Sequence, residues 1–553
     1  MNRGVIAFIA VILILVGIAF YQFLAGLQAV NRPNPPAPAP APSDPASTGT
    51  SDSPASGNPG SATSAADAGA ALPPPASALA PPCEDWKTPS LAIFLSGEQN
   101  GSIEPCGCSL IQLGGMSRRM QLHRLLTERG WILSGLDLGA TLHPERPTRQ
   151  QSKLKFDTTL TALKEMKYAA LGLGRQELLL GLDLISYHMP DQLPFISANA
   201  SIHPPDLMLP LPYKVFEAGG VKVGVTAILG DDLRKQTNPV VPIPEDQKVG
   251  GEIQVIPAID GLNNVVPKLV EENCDLLILL SHGTPEEAVA LAKQFPRFQV
   301  VVTAGGPDDP DPKPKHEGET LLLSIGKKGK HVGVLGIYPS AEKPADKLRF
   351  ELVDLDKDRF PGSPRMTELM QAYVDQVKDA NLVAGEPAVP HPTGRGYVGA
   401  KVCGECHTKA YASWKMTKHS HALESLDKGR KGEEATWISR SFDPECLACH
   451  VVGWNPHDIV RYEGGFLGMA ETPHLAGQQC ENCHGPGDKH TEMERVFRKS
   501  PKVTPGLLAE RKAMHLDQAT VEIKVCTKCH DGDNSPGWNF QKYWPQVRHV
   551  GRD

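Results

Sequence analysis

Between residues 403 and 530 the chain repeats one short pattern four times: Cys403-Gly-Glu-Cys406-His407, Cys446-Leu-Ala-Cys449-His450, Cys480-Glu-Asn-Cys483-His484 and Cys526-Thr-Lys-Cys529-His530. No other feature restricts the fold so strongly. Thiols at this spacing add across the vinyl groups of a porphyrin as thioethers, and the histidine that follows becomes the proximal ligand of the iron. Paired zinc sites also use Cys-x-x-Cys, but they leave the histidine of all four copies without a purpose. The pattern therefore predicts four covalent haem c groups. So many porphyrins supply much of the core themselves, so residues 394–553 should form a mainly α, loop-rich cytochrome c domain. Residues 391–553 carry 22 Lys+Arg against 20 Asp+Glu, and haem propionates would make the loaded region acidic unless they are paired.

Haem is attached in this way outside the cytoplasm, and the other end of the chain agrees. An apolar run from Val5 to about Leu24 follows an early arginine. About 20 apolar residues can span a bilayer, more than the roughly 7–15 of a cleavable signal core. The expectation is a signal anchor or transmembrane helix over 1–30, holding the protein in the inner membrane and facing the periplasm. A cleaved signal peptide is the rival, because "LAGLQAV" contains small residues. Residues 31–82 are rich in Pro and Ala and poor in large apolar groups, a composition that stays disordered and serves as a tether. The mild formal charge of −7 gives no reason to expect a nucleic-acid partner.

From 84 to 355 strand-like runs alternate with helical patterns. Strands are expected at 91–95, 131–138, 168–173, 275–282, 298–305 and 319–326, and a hairpin over 213–229 turning at Gly219-Gly220. Helical patterns fall in "GMSRRMQLHRLLTERG", "FDTTLTALKEMK", "LNNVVPKLVEEN" and "TPEEAVALAKQF". The alternation predicts an α/β layered domain. A connector over 356–393 contains "RMTELMQAYVDQVKDANLVAG", which reads as a packing helix.

The pieces "LGG" (113–115), "GRQE" (174–177), "ISANAS" (196–201), "GGVKVGVTAI" and "LLSHG" (279–283) together resemble the 5′-nucleotidase branch of the calcineurin-like metallophosphoesterases over residues 88–340. That resemblance implies a two-metal clamp for phosphate-ester hydrolysis, but the ligands are degenerate. Glu98-Gln99-Asn100 stands for Asp-x-His, Ala140 for the second aspartate, Gly174-Arg175-Gln176-Glu177 for Gly-Asn-His-Glu, and Gly306-Pro307-Asp308-Asp309 for Gly-His-x-His. His282 alone clearly survives. Between these positions lie Cys106 and Cys108. Three readings stand open for them: structural cysteines, a redox-active dithiol, or metal ligands with Glu98 or His282.

The runs "CGECHTKAYASWKMTKHSHAL" and "GQQCENCHGPGDKH" resemble the tetrahaem cytochrome c family of ammonia oxidisers, which accepts electrons from hydroxylamine oxidoreductase. The resemblance covers residues 398–553. It implies His419, after Trp414 and Thr417, His490, and His549, after Tyr543-Trp544, as distal iron ligands, with His474 the next candidate. His421 competes with His419, and His457 and His515 are further spare histidines. The function expected is a membrane-anchored electron carrier with redox proteins as donor and acceptor. One alternative is a multihaem oxidoreductase acting on a small nitrogen or oxyanion substrate at an open haem; another is a phosphoesterase fused to a cytochrome.

Overall fold

Residue after residue of "LAIFLS" is buried in the first strand, which means that both faces of its sheet are covered. A computed structural model describes residues 80–105, 112–187, 192–202, 209–237, 253–385, 387–429 and 437–549. Its strands run β1 (Leu91–Ser96), β2 (Leu133–Asp137), β3 (Tyr168–Gly172), β4 (Phe195–Ile196), β5 (Ala200–Ile202), β6 (Lys214–Ala218) and β7 (Val221–Leu229). Then follow β8 (Ile253–Val255), β9 (Leu276–His282), β10 (Val300–Thr303), β11 (Lys315–Glu317), β12 (Thr320–Ser324), β13 (His331–Ile337) and β14 (Leu348–Asp354). One six-stranded sheet has the order β14-β13-β1-β2-β3-β4 and the other β11-β12-β10-β9-β7-β6, while β5 pairs with β8 apart from both. The pairs β1–β2, β2–β3, β3–β4, β7–β9, β9–β10 and β10–β12 are parallel, and β1–β13, β13–β14, β6–β7 and β11–β12 are antiparallel.

Alternation along each strand sorts side chains between layers. Leu91, Ile93 and Leu95 of β1 meet Val223, Val225, Ile278 and Leu280 of the facing sheet in a core between the sheets. Ala92 and Phe94 point the other way, into a second core with Met116, Leu122, Phe156 and Leu160 from helices Met116–Glu128 and Gln150–Glu165. The second sheet likewise sends Leu277, Leu279 and Val301 against helices Ala258–Glu271 and Pro285–Gln294. The result is a four-layer α/β/β/α sandwich. At the expected hairpin, Gly219 and Gly220 have φ of 59° and 70°, the pair of positive values that a two-residue turn between twisted strands needs.

Among the strands not anticipated, β13 and β14 are the longest. They continue the first sheet beyond β1, so that sheet closes on residues the sequence pattern left unassigned. The connector is also less free than a linker. Met366, Met370, Tyr373, Val374 and Val377 of helix Pro364–Asp379 complete the core over helices Met116–Glu128 and Gln150–Glu165.

Beyond residue 394 the chain forms short helices and long loops around a small core of Leu423, Leu426, Leu447, Val451, Val452, Trp454, Phe466 and Leu475. A two-stranded ribbon, β15 (Trp454–Asn455) with β16 (Val460–Arg461), is the strand content there. The two parts belong to one compact unit, Pro73–Asp553. The expected anchor, 1–30, lies outside the described residues, as does the linker up to residue 79. Among the described residues no helix is long and apolar enough to cross a membrane.

Candidate functional site: a cavity lined by four Cys-x-x-Cys-His turns

Each motif sits on a helical turn, which places its two thiols on one side and its histidine just past them. The second occupies helix Pro444–His450, capped by Asp443, whose side chain accepts from the Glu445 N–H. The third is helix Cys480–His484, entered through Gln479 and Asn482. The first follows helix Ala400–Cys403 and the fourth begins on the 3-10 turn Cys526–Lys528. All twelve motif residues line one connected cavity of about 3420 Å³. A small-molecule pocket holds about 300–1,000 Å³, so this space suits several large groups together.

Across the cavity imidazoles face one another in pairs. The ring centroids of His407 and His490 are 6.4 Å apart, those of His530 and His419 6.1 Å, and those of His484 and His549 5.9 Å. An imidazole nitrogen binds a first-row metal at about 2 Å, so two rings sharing one iron stand with centroids roughly 6 Å apart. The three pairs fit that requirement. His484 and His450 donate from Nδ1 to the carbonyls of Met514 and Ala422, both at 2.7 Å, and His549 Nδ1 donates to the Val547 carbonyl at 3.1 Å. His530 Nδ1 lies 3.2 Å from Ser535 Oγ. A ring that donates from Nδ1 leaves Nε2 to the metal. Burial pushes the pKa of His419, His450, His484 and His490 down, and that of His530 to about 4. Neutral imidazole is the form that ligates.

The turn that carries His419 is braced from both sides. Trp414 Nε1 donates to the Gln478 carbonyl at 2.7 Å, Thr417 Oγ1 to the Trp414 carbonyl at 2.7 Å, and the Gln478 N–H to the His419 carbonyl at 3.0 Å. Its rival His421 is exposed and lies 3.2 Å from Glu424. His474 is exposed and stands away from the cavity lining; its carbonyl accepts from Gln479 Nε2. His457 and His515 are exposed at the cavity margin. No histidine ring among the described residues pairs with that of His450.

The α/β part forms one wall. Asn100, Ser102, His143, Arg146, Lys155, Lys328 and Lys330 line the cavity beside the motifs. Lys155 bonds Glu445, Gln151 bonds Asp443 at 2.6 Å, and Lys328 pairs with Asp533, whose carbonyl accepts from Gln112 at 2.6 Å. Sequence spacing held no signal for these contacts, since the partners lie hundreds of residues apart. His391 was missed too: it meets the Tyr462 ring edge-to-face at 4.6 Å and lines the same cavity, but it precedes the first motif. Cys106 and Cys108 lie outside the described residues.

The residues at the metallophosphoesterase ligand positions do not fit a two-metal centre. Asp137 is buried, with Oδ2 accepting from Ser96 Oγ at 2.5 Å and Oδ1 from the Gly139 N–H at 2.8 Å. Glu177 spends its carboxylate on the N–H groups of Ala140, Thr141 and Gly174 and on Thr141 Oγ1. Glu98 accepts from the Gly305 N–H, and His282 Nδ1 lies 3.3 Å from the Leu138 carbonyl. The fully buried guanidinium of Arg119 donates to Gln99 Oε1 at 2.8 Å. Among the described residues no three His, Cys, Asp or Glu side chains converge on a common metal position.

Residues 402–485 match the family model described as cytochrome c554 and c-prime. The C-terminal part is cytochrome c554-like. Cytochrome c-554 of Nitrosomonas europaea is 31% identical over 158 residues, 26% of this chain and 62% of that protein. The multiheme cytochrome MtrA of Shewanella baltica is 30% identical over 132 residues, 24% of this chain and 35% of that one. The chain thus spans less than two thirds of either relative. Similar solved structures include a 5′-nucleotidase precursor from Thermus thermophilus, at 20% identity and TM-score 0.43 over 54% of this chain and 61% of that one. Another is the calcineurin-like phosphoesterase YfkN from Bacillus subtilis, at 17% and 0.40 over 52% of this chain and 97% of that one. The cytochrome c554-like part follows a layered α/β part.

Proposed function

We propose that the chain is a membrane-anchored, periplasm-facing c-type cytochrome that passes electrons singly through four covalent haems between redox proteins. The observation that carries this reading is the set of three imidazole pairs, each joining a motif histidine to a second one at the separation a shared iron requires. Haem iron supplies one-electron chemistry between its ferrous and ferric states. The chain's own residues do the rest. Motif thiols would fix the porphyrin edges, His490, His419 and His549 would hold the irons from the other side, and the carbonyls of Met514, Ala422 and Val547 orient rings. The apolar run Val5–Leu24 supports the anchor and the extracytoplasmic side. The residues at the old hydrolase positions, Ala140 and Arg175 above all, support electron transfer over phosphate-ester hydrolysis. The test is a haem count on the purified protein by its pyridine haemochrome spectrum: four haems per chain are expected, and fewer contradict the reading.

One observation favours a second reading. His450 has no facing histidine among the described residues, so its haem iron would keep a position for a small nitrogen or oxyanion ligand, as in an oxidoreductase. Titration of the reduced protein with nitric oxide should perturb one haem in four; an unchanged spectrum removes this reading.

A further inference from the structure

Helix Asp488–Lys499 carries His490, and none of its twelve residues is buried. On one side Thr491, Glu494, Arg495, Phe497 and Arg498 line the haem cavity. The other side is bare. Val496 is 62% exposed, and Val503 and Leu508, on the following loop and the adjacent helix Pro505–Ala513, are 56% and 53% exposed. Single exposed apolar residues are ordinary, but these three lie on two packed helices and the loop between them, and exposed apolar groups with a polar rim mark an interaction site.

That rim is basic. The stretch "RVFRKSPKV" from Arg495 to Val503 holds four cations and no carboxylate. Arg495 is paired with Glu405 at 3.1 Å, whereas Lys499 and Lys502 form no ion pair among the described residues.

We infer that this face, Val496, Val503 and Leu508 rimmed by Lys499 and Lys502, docks an acidic redox protein and passes electrons through the haem held by His407 and His490. The inference rests on the cytochrome reading above. A transient electron-transfer complex needs little area, on the order of 1,200 Å² or less, and opposite charge raises its rate of encounter. An anionic bilayer would also attract the cations. The redox protein is favoured because the same helix holds an iron ligand on its inner side, so a partner outside lies one helix away from a haem.

The experiment uses the full-length, haem-loaded protein in detergent, reduced and mixed with acidic plastocyanin as acceptor. One electron leaves a ferrous haem, which becomes ferric, and reduces copper from the +2 to the +1 state. Lys499→Glu with Lys502→Glu should slow this reaction about tenfold at low ionic strength, and the difference should vanish in high salt. With a cationic single-haem cytochrome c as acceptor, the same variant should be no slower than the parent. Lys313→Glu with Lys315→Glu, on the α/β part, should leave both rates unchanged, and haem content should match in every variant. A plastocyanin rate that falls no further than in this control overturns the surface. So does loss of binding to phosphatidylserine vesicles with the plastocyanin rate intact, which would make the face a membrane contact. If the reduced parent passes electrons to neither acceptor, the cytochrome reading itself fails.

Discussion

The imidazole of His484 stands 5.9 Å from that of His549, and each ring is oriented by its own Nδ1, the first on the Met514 carbonyl and the second on the Val547 carbonyl. Two Nε2 atoms are thereby left for one iron, one from the middle and one from the end of the C-terminal region. His549→Ala should open one axial position. A high-spin ferric signal and carbon monoxide binding by the ferrous form should appear, worth one haem more than in the parent; an unchanged low-spin spectrum would assign the distal ligand elsewhere.

Glu481, between the thiols of the third motif, is a buried carboxylate that accepts N–H groups from Val398, Gly399 and Gly487. It ties the entry to the first motif to the exit from the third. Glu481→Ala orphans these donors and should cost about 3 kcal/mol of stability, whereas Glu481→Gln keeps one acceptor and should cost less. Thermal unfolding at constant haem content measures both, and equal losses would deny the carboxylate its clamping role.

The motifs were legible because their chemistry is local: thiol, thiol and imidazole act within five residues. The turn at Trp414, Thr417 and His419 was legible through its resemblance to a known motif, although two of its three bracing bonds run to Gln478. Glu481 was not, because its task depends on Val398 and Gly399 arriving from a loop 82 residues away. The contact of Lys328 with Asp533 was equally hidden. A charged loop at the lip of an α/β sandwich looks like solvated surface until a second part of the chain covers it. For the strand pair β13–β14 the expectation stopped short because its place beside β1 is fixed by pairing, which a pattern within one segment does not contain.

His331 illustrates such long-range placement and carries a pH dependence. Burial pulls its pKa down, but hydrogen bonds to Asp354 and Asp309 outweigh burial and leave it raised. Asp354 is lowered, first by its bond to His331. The histidine's contribution is complete below its unfolded pKa near 6.5 and is lost as pH rises through the higher folded value. The aspartate's is present above its unfolded value near 3.9 and is lost on acidification. Both carboxylates face solvent, so the gain should be only about 1 kcal/mol, largest between these limits. His331→Gln should flatten the change in melting temperature between pH 6 and 8, and a parallel profile would remove the pairing from the account.

Arg119 is the largest fully buried side chain, near Asp137 and bonded to Gln99. Removing one charge of a buried set leaves the other uncompensated, so Arg119→Met should destabilise by about 3 kcal/mol. Since Ala140 and Arg175 stand at two of the former ligand positions, manganese or zinc at millimolar concentration should leave the melting temperature of the parent unchanged, and so should chelator. A metal-dependent rise would mean that ions bind native sites the present contacts exclude.

The most direct test of the whole account is the electron paramagnetic resonance spectrum of the fully oxidised protein, quantified against its haem content. Three imidazole pairs and one unfaced His450 predict three low-spin haems and one high-spin haem per chain. Four low-spin haems would show that another ligand reaches the iron of His450, and two or more high-spin haems would contradict the pairing on which the electron-transfer reading stands.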